Sequence, residues 1–205
     1  MAVSLHRLSP QATEAGTHRF AVVDAALVAQ KARDAAVNPR GREIHRFHTD
    51  DAASLQRMLN ALQPGTYVRP HRHLTPPKAE AFIVLSGSLG FIAFDDAGRF
   101  DREDCLVLNR EGGVWAVDVA AGTWHAILAL EPDTVAFEAK PGPYSPMSDK
   151  DFAPWAPAEG TAAAAAYLAA VETRFRAYVG REEGREDASG GRGHDAPGPL
   201  DARPF

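Results

Sequence analysis

Between Thr66 and Lys140 the chain is a series of short runs rich in β-branched and aromatic residues: TYVRPH, AFIVLSG, SLGFIAFD, RFDREDCLVL, GVWAVDVA, WHAILAL and TVAFEAK. Turn residues separate them, at Ser86-Gly87, Asp95-Asp96-Ala97-Gly98, Glu111-Gly112-Gly113, Ala121-Gly122 and Pro132-Asp133. Many short strands with no helices between them predict an antiparallel barrel or sandwich, because a parallel sheet would need crossover helices. Before this region, Asp24–Ala36 is built of helix formers with Asp24 at the N-cap position, and Asn38-Pro39 and Gly41 end it. Glu43–His48 alternates like an edge strand. Leu55, Met58, Leu59 and Leu62 fall at helical spacing, which predicts a second helix opened by Asp50 or Asp51 and closed by Pro64-Gly65. After Lys140 a proline- and aromatic-rich stretch predicts an ordered loop over the barrel. A helix follows over Thr161–Val179, with Tyr167, Leu168, Val171, Phe175 and Tyr178 on one face and Gly180 at its end.

The expected organisation is a loosely ordered leader (1–23), a helical and edge-strand segment (24–64), a barrel (65–140), a lid-like loop with a helix (141–179) and a disordered tail (180–205). The tail is charged, rich in Gly and Pro, and has little to bury.

Composition adds limits. With 205 residues, 45% hydrophobic and 24% charged, the chain suits one globular domain with appended segments. A net charge of −5 without a clustered basic face argues against nucleic-acid or anionic-membrane partners. The N-terminal residues lack the apolar core of a secretory signal, and no apolar stretch approaches the roughly 18 residues a membrane span needs. The expected location is therefore the cytoplasm. Cys105 has no partner for a disulfide, and its setting in CLVL predicts a core residue, not a nucleophile.

The candidate chemistry is concentrated in a few positions. His71 and His73 are one residue apart on a predicted strand, so both side chains leave the same face. Tyr67 and Arg69 share that parity. Glu80 opens the next strand after a loop containing Pro76-Pro77, and His125 opens a later strand after Ala121-Gly122. Three imidazoles and a carboxylate suit a divalent transition metal such as Fe, Mn, Ni, Cu or Zn, and leave open positions on a five- or six-coordinate ion. Glu138 and Lys140 alternate onto one face of the last strand, where they either pair or meet a polar ligand. In the second case Glu138 or Tyr67 is the candidate proton-transfer group. Trp124 is a further pocket candidate. Tyr144, Lys150 and Trp155 lie in the lid-like loop, and structural packing is the expected role of Trp155. Arg40 and Arg42 are candidates to anchor an acidic group. His6, His18, His45, His48 and His194 are expected to be ordinary solvated or hydrogen-bonded histidines.

Gly65-x5-His71-x-His73-x6-Glu80-x6-Gly87 resembles the first cupin motif, and Gly122-x2-His125 resembles the second. The gap from His73 to Glu80 is longer than in most cupins, and Ala120 and Ala129 stand where the second motif has proline and asparagine. More specifically, PRGREIHRFH, LQRMLNALQPGTYVRPHRH, GTWHAILAL and FEAKPGPYSPMSDKDFAPWAPAEG resemble the WbuC family of cupin-fold metalloproteins over about residues 24–170. The resemblance implies a mainly β fold, the cupin double-stranded β-helix or jelly-roll barrel, with flanking N-terminal and C-terminal helices. It also implies a bound metal and an association with O-antigen-type polysaccharide formation.

The leading expectation is a metal-binding cupin acting on a small molecule, a sugar or nucleotide-sugar in surface-polysaccharide formation; whether it is an enzyme is left open, with isomerase or epimerase and oxygenase as the candidate activities. The alternatives are a non-catalytic metal- or metabolite-binding cupin and an Fe(II)-dependent oxygenase. A homodimer is the assembly considered, since cupins are frequently dimeric.

Overall fold

A computed structural model of the chain describes residues 6–16, 19–145 and 149–180. The disordered-tail expectation for residues beyond Gly180 falls outside them, as do His18, His194 and the His6 side chain. Among the described residues no helix is long and apolar enough to cross a membrane.

The chain forms β1 (His6–Ser9), β2 (Ala12–Glu14), helix α1 (Ala25–Val37), β3 (Arg42–Arg46), β4 (Leu55–Leu62), β5 (His71–Arg72), β6 (Glu80–Ser86), β7 (Ser88–Phe94), β8 (Cys105–Asn109), β9 (Ala116–Val119), β10 (Trp124–Ala129), β11 (Thr134–Pro141), β12 (Asp151–Phe152) and helix α2 (Ala162–Val179). These make a seven-stranded sheet, β1-β2-β3-β4-β11-β6-β9, and a five-stranded sheet, β12-β5-β10-β7-β8. Every pairing is antiparallel except β2 with β3. The result is a mainly β barrel of jelly-roll type, two facing sheets with a helix on each flank.

The sheets cover each other's inner faces and a helix covers part of each outer face, and the residue alternation shows how. In β10 all six residues are buried. Trp124, Ala126 and Leu128 pack outward with Phe175, Val171 and Leu168 of α2. Ile127 and Ala129 point inward and meet Phe82, Phe91 and Leu62 between the sheets. On the opposite side, Leu59, Ala61 and Val135 face Leu27, Ala32 and Ala35 of α1. Asp24 caps α1 by accepting from the Leu27 N–H at 2.9 Å, and Thr161 caps α2 by accepting from the Ala164 N–H at 3.2 Å.

Three expectations are corrected. The helix predicted over Leu55–Leu62 is β4, paired along its whole length with β11. Glu43–His48 contributes β3, an interior strand between β2 and β4. The barrel wall therefore does not begin at residue 65: segment 24–64 supplies two of its strands, and β1 and β2 from the leader extend the same sheet. The lid-like loop carries a further strand. β12 pairs with β5, setting Phe152 opposite His71 and Asp151 opposite Arg72.

Candidate metal centre

β5 and β10 are hydrogen-bonded neighbours in which His71 stands directly opposite His125. His73 continues the parity of His71, and its carbonyl accepts from the Gly122 N–H at 3.0 Å. That turn needs Gly122 at φ 81°, in the left-handed region glycine tolerates, and it sets where β10 begins. Glu80 begins β6 on the facing sheet. The result brings His71, His73, Glu80 and His125 together, all buried, with one ligating atom from each within 4.8 Å of every other.

The hydrogen bonds fix what these atoms are. His71 Nδ1 donates to the Arg69 carbonyl at 3.0 Å, His125 Nδ1 donates to the Thr123 carbonyl at 2.9 Å, and His73 Nδ1 donates to the Asp149 carbonyl. A carbonyl oxygen can only accept, so each Nδ1 carries a proton and Nε2 is the ring atom turned towards the group, where an imidazole free of a second proton offers a lone pair. His125 Nε2 lies 2.7 Å and His73 Nε2 lies 3.5 Å from Glu80 Oε1, and all three atoms are buried with no hydrogen-bond donor. Acceptors crowded together away from water are costly unless a cation sits between them. A proton would bridge one pair and leave the rest unsatisfied, whereas a metal ion satisfies all four. Nitrogen-rich ligands with one carboxylate and no sulfur suit a first-row transition ion over Mg or Ca. Burial pushes the His71 imidazole well below its ordinary pKa, with Lys150 and His125 adding to the shift, so the ring is neutral and ready to ligate.

A second layer holds the ligands. The Asp149 carboxylate accepts from Lys78 Nζ at 2.7 Å and pairs with Lys140 Nζ at 3.2 Å, while its own carbonyl orients His73. Burial raises the Asp149 carboxyl, yet Lys140 and the bond from Lys78 outweigh it and bring it below the usual range. Lys140 also pairs with Glu138 Oε1 at 3.2 Å, and Glu138 Oε2 accepts from Asn60 Nδ2 at 2.6 Å. Asp149, Lys78 and Asn60 were not expected at the site. No local motif marks them, because their roles depend on contacts spanning 65 to 78 residues of chain.

The metal group opens onto a chamber of about 120 Å³ whose wall includes Asn60, Glu138, Lys150 and Arg42. A wider cavity of about 290 Å³ continues from it past Lys140, Arg46 and Tyr144. Glu138 and Lys140 thus both pair with each other and face the interior. Tyr67 does not line either cavity, which corrects the expectation drawn from strand parity. The segment before His71 is not a strand, Tyr67 packs in the outer cluster beside Tyr167, and its hydroxyl donates to the Pro157 carbonyl at 2.9 Å. Burial pushes its phenol up to about 12, a poor setting for a base. Trp124 likewise faces outward, with Nε1 donating to Asp96 at 2.9 Å. Trp155 packs against Phe94 and Trp124. Arg40 and Arg42 both pair with Glu159, at 2.7 and 2.9 Å. The thiol of half-buried Cys105 donates to the Asp101 carbonyl, and burial with Asp104 and Asp101 pushes it to about 11, so it is no nucleophile. His45 and His48 are buried structural residues bonded to Thr13 and to the Arg57 backbone.

A protein-family profile described as a domain of unknown function (DUF6016) matches residues 23–106, less than half of the chain. No curated protein matches it significantly. Among solved structures, the capsular polysaccharide assembling protein CapF from Staphylococcus aureus is similar over 57% of this chain and 32% of its own, at 25% identity and a TM-score of 0.42. An oxalate decarboxylase from Lactobacillus farciminis, solved as a formate complex, is similar over 50% of this chain and 28% of its own, at 21% identity and a TM-score of 0.38. KdgF from Halomonas sp. is similar over 54% of this chain and 86% of its own, at 19% identity and a TM-score of 0.40. The chain spans under a third of the decarboxylase and of CapF. These likenesses are partial.

Proposed function

We propose that this chain is a metal-binding cupin, of the type its WbuC-like segments suggest, holding one divalent transition ion on His71, His73, Glu80 and His125. The observation that carries the reading is the commitment of all three Nδ1 atoms to backbone carbonyls, which turns three Nε2 atoms and one carboxylate oxygen towards one buried point, within 4.8 Å of one another. Such a bound ion would act as a Lewis acid toward a ligand oxygen. The residues around the chamber do the rest. Asn60 and Lys140 fix the Glu138 carboxylate at the chamber wall, where it is the group placed to move a proton. The same donors and acceptors suit the hydroxyls of a sugar-type small molecule, the ligand class expected from the sequence.

Titration of chelator-treated protein with Mn, Fe(II), Co, Ni and Zn tests this. The expected result is one tight site per chain in the wild type, weakened at least a hundredfold in His73→Ala, with Glu138→Gln retaining the metal. Unchanged stoichiometry and affinity in His73→Ala would overturn the assignment.

A further inference from the structure

Lys150 lines the metal-facing chamber, the wider interior cavity and a third cavity of about 260 Å³ that opens beside Arg40, Arg69 and Phe152. It stands where all three meet. The other charged side chains along these walls are mostly committed: Arg42 to Glu159, Arg46 to Asp51 at 2.9 Å, Lys140 to Glu138 and Asp149, and Glu43 to Lys31 at 3.7 Å. Arg69 is held by the Ala153 carbonyl at 2.9 Å and the Phe152 ring, and has no carboxylate partner among the described residues. Lys150 has neither a hydrogen bond nor an ion pair among the described residues. Lys150 is half-buried and lies near Lys140 and Arg42, so burial and these cations bring its pKa down to about 8 against the pull of Glu138 and Glu80. A dication on the four ligands would offset Glu80 and add further positive charge to a chamber that already holds this unpaired cation. Electroneutrality then has to come from whatever enters.

We propose that Lys150, backed by Arg42, anchors a carboxylate on the ligand, so that the molecule taken up beside the metal group is a small hydroxylated organic acid. This rests on the metal-centre reading for its second anchor point. Two features favour a carboxylate over a phosphate. The metal-facing chamber is only about 120 Å³. Arg42 already spends Nη1 on the Tyr67 carbonyl at 2.6 Å and Nη2 on Glu159, so it supplies positive field and not the open two-pronged fork that draws a phosphate dianion. Among the described residues lining the metal-facing chamber, one ammonium is without a partner, which matches a monoanion.

Calorimetric titration of the metal-loaded protein with lactate, its neutral counterpart lactamide, and inorganic phosphate tests the assignment, with metal stoichiometry measured on each sample. Lactate is expected to bind at least tenfold more tightly than lactamide. Lys150→Met is expected to abolish that difference with metal content unchanged, and Lys150→Arg to keep it within a few fold. Equal affinities for lactate and lactamide, lactate binding indifferent to Lys150→Met, or no lactate binding by the wild type would overturn it, and tighter binding of phosphate would overturn the carboxylate assignment. Lys150-dependent lactate binding in protein that holds no metal would sink the metal reading while leaving this one standing.

Discussion

Asp149 is the residue through which fold and candidate site are coupled most tightly, and replacing it by Asn tests that coupling. The side chain is 1% exposed, with one carboxylate oxygen 2.7 Å from Lys78 Nζ and the other 3.2 Å from Lys140 Nζ. Asn keeps the shape and the backbone carbonyl that holds His73, but it removes the charge and turns one acceptor into a donor facing an ammonium. Breaking a buried pair costs about 3–5 kcal/mol when a charge is stranded. Here neither lysine is stranded fully, because Lys78 keeps the Pro143 carbonyl at 2.6 Å and Lys140 keeps Glu138 at 3.2 Å. The expected loss is therefore about 2–4 kcal/mol, nearer the worth of charged hydrogen bonds. For a chain of this length that corresponds to a fall in Tm of roughly 4–16 °C, read by circular dichroism in excess chelator. Metal affinity should fall as well, by about 10–100-fold, since residues that orient a ligating histidine have effects of that size. A Tm within 2 °C of wild type together with unchanged metal affinity would refute the reasoning.

Other outcomes follow from the same structure. Metal present at a hundred times its Kd should stabilise the chain by about 2.7 kcal/mol, raising Tm by roughly 5–11 °C, and chelator should reverse the shift. His45 is buried with its pKa lowered to about 4 by burial and by Lys31, so the unfolded chain binds a proton that the folded one refuses. Stability from this residue is complete above about pH 6.5 and is lost as pH falls towards 4. In urea unfolding with chelator present, the drop between pH 6.5 and pH 5 should be smaller by about 1.5 kcal/mol in His45→Gln. Phe175 is fully buried between α2 and Gly90, where a Cβ on Gly90 would come within 2.9 Å of its ring. Phe175→Ala should cost about 3–5 kcal/mol and expose α2 to limited proteolysis, whereas a loss under 1 kcal/mol would deny that the helix is anchored there.

The strands from Glu80 onward were legible because turn residues bracket them, and the two-residue period of His71 and His73 already placed both on one face. The error at Leu55–Leu62 has a definite cause. β4 buries Leu59 and Ala61 against α1 and Met58 and Leu62 towards the barrel interior, so it shows no apolar–polar alternation, and its leucines fall by coincidence at helical spacing. Tyr67 misled for a related reason: strand parity was extended back through Pro70, where the chain is not a strand. Glu80 reaches the histidines despite its stretched spacing because it opens β6 while the intervening loop is closed by a Leu74–Pro77 bridge. Asp149 and Lys150 lie far along the chain from the ligands they meet, and only the pairing of β12 with β5 brings that segment over the site.

The central claim is that three imidazoles and one carboxylate share a metal ion. X-ray absorption of the loaded protein, beside that of His125→Ala, addresses it directly. The account predicts a nitrogen- and oxygen-only shell with multiple scattering from three imidazoles, reduced to two or lost with the metal in the variant. A shell without imidazole scattering, or one identical in His125→Ala, would contradict it.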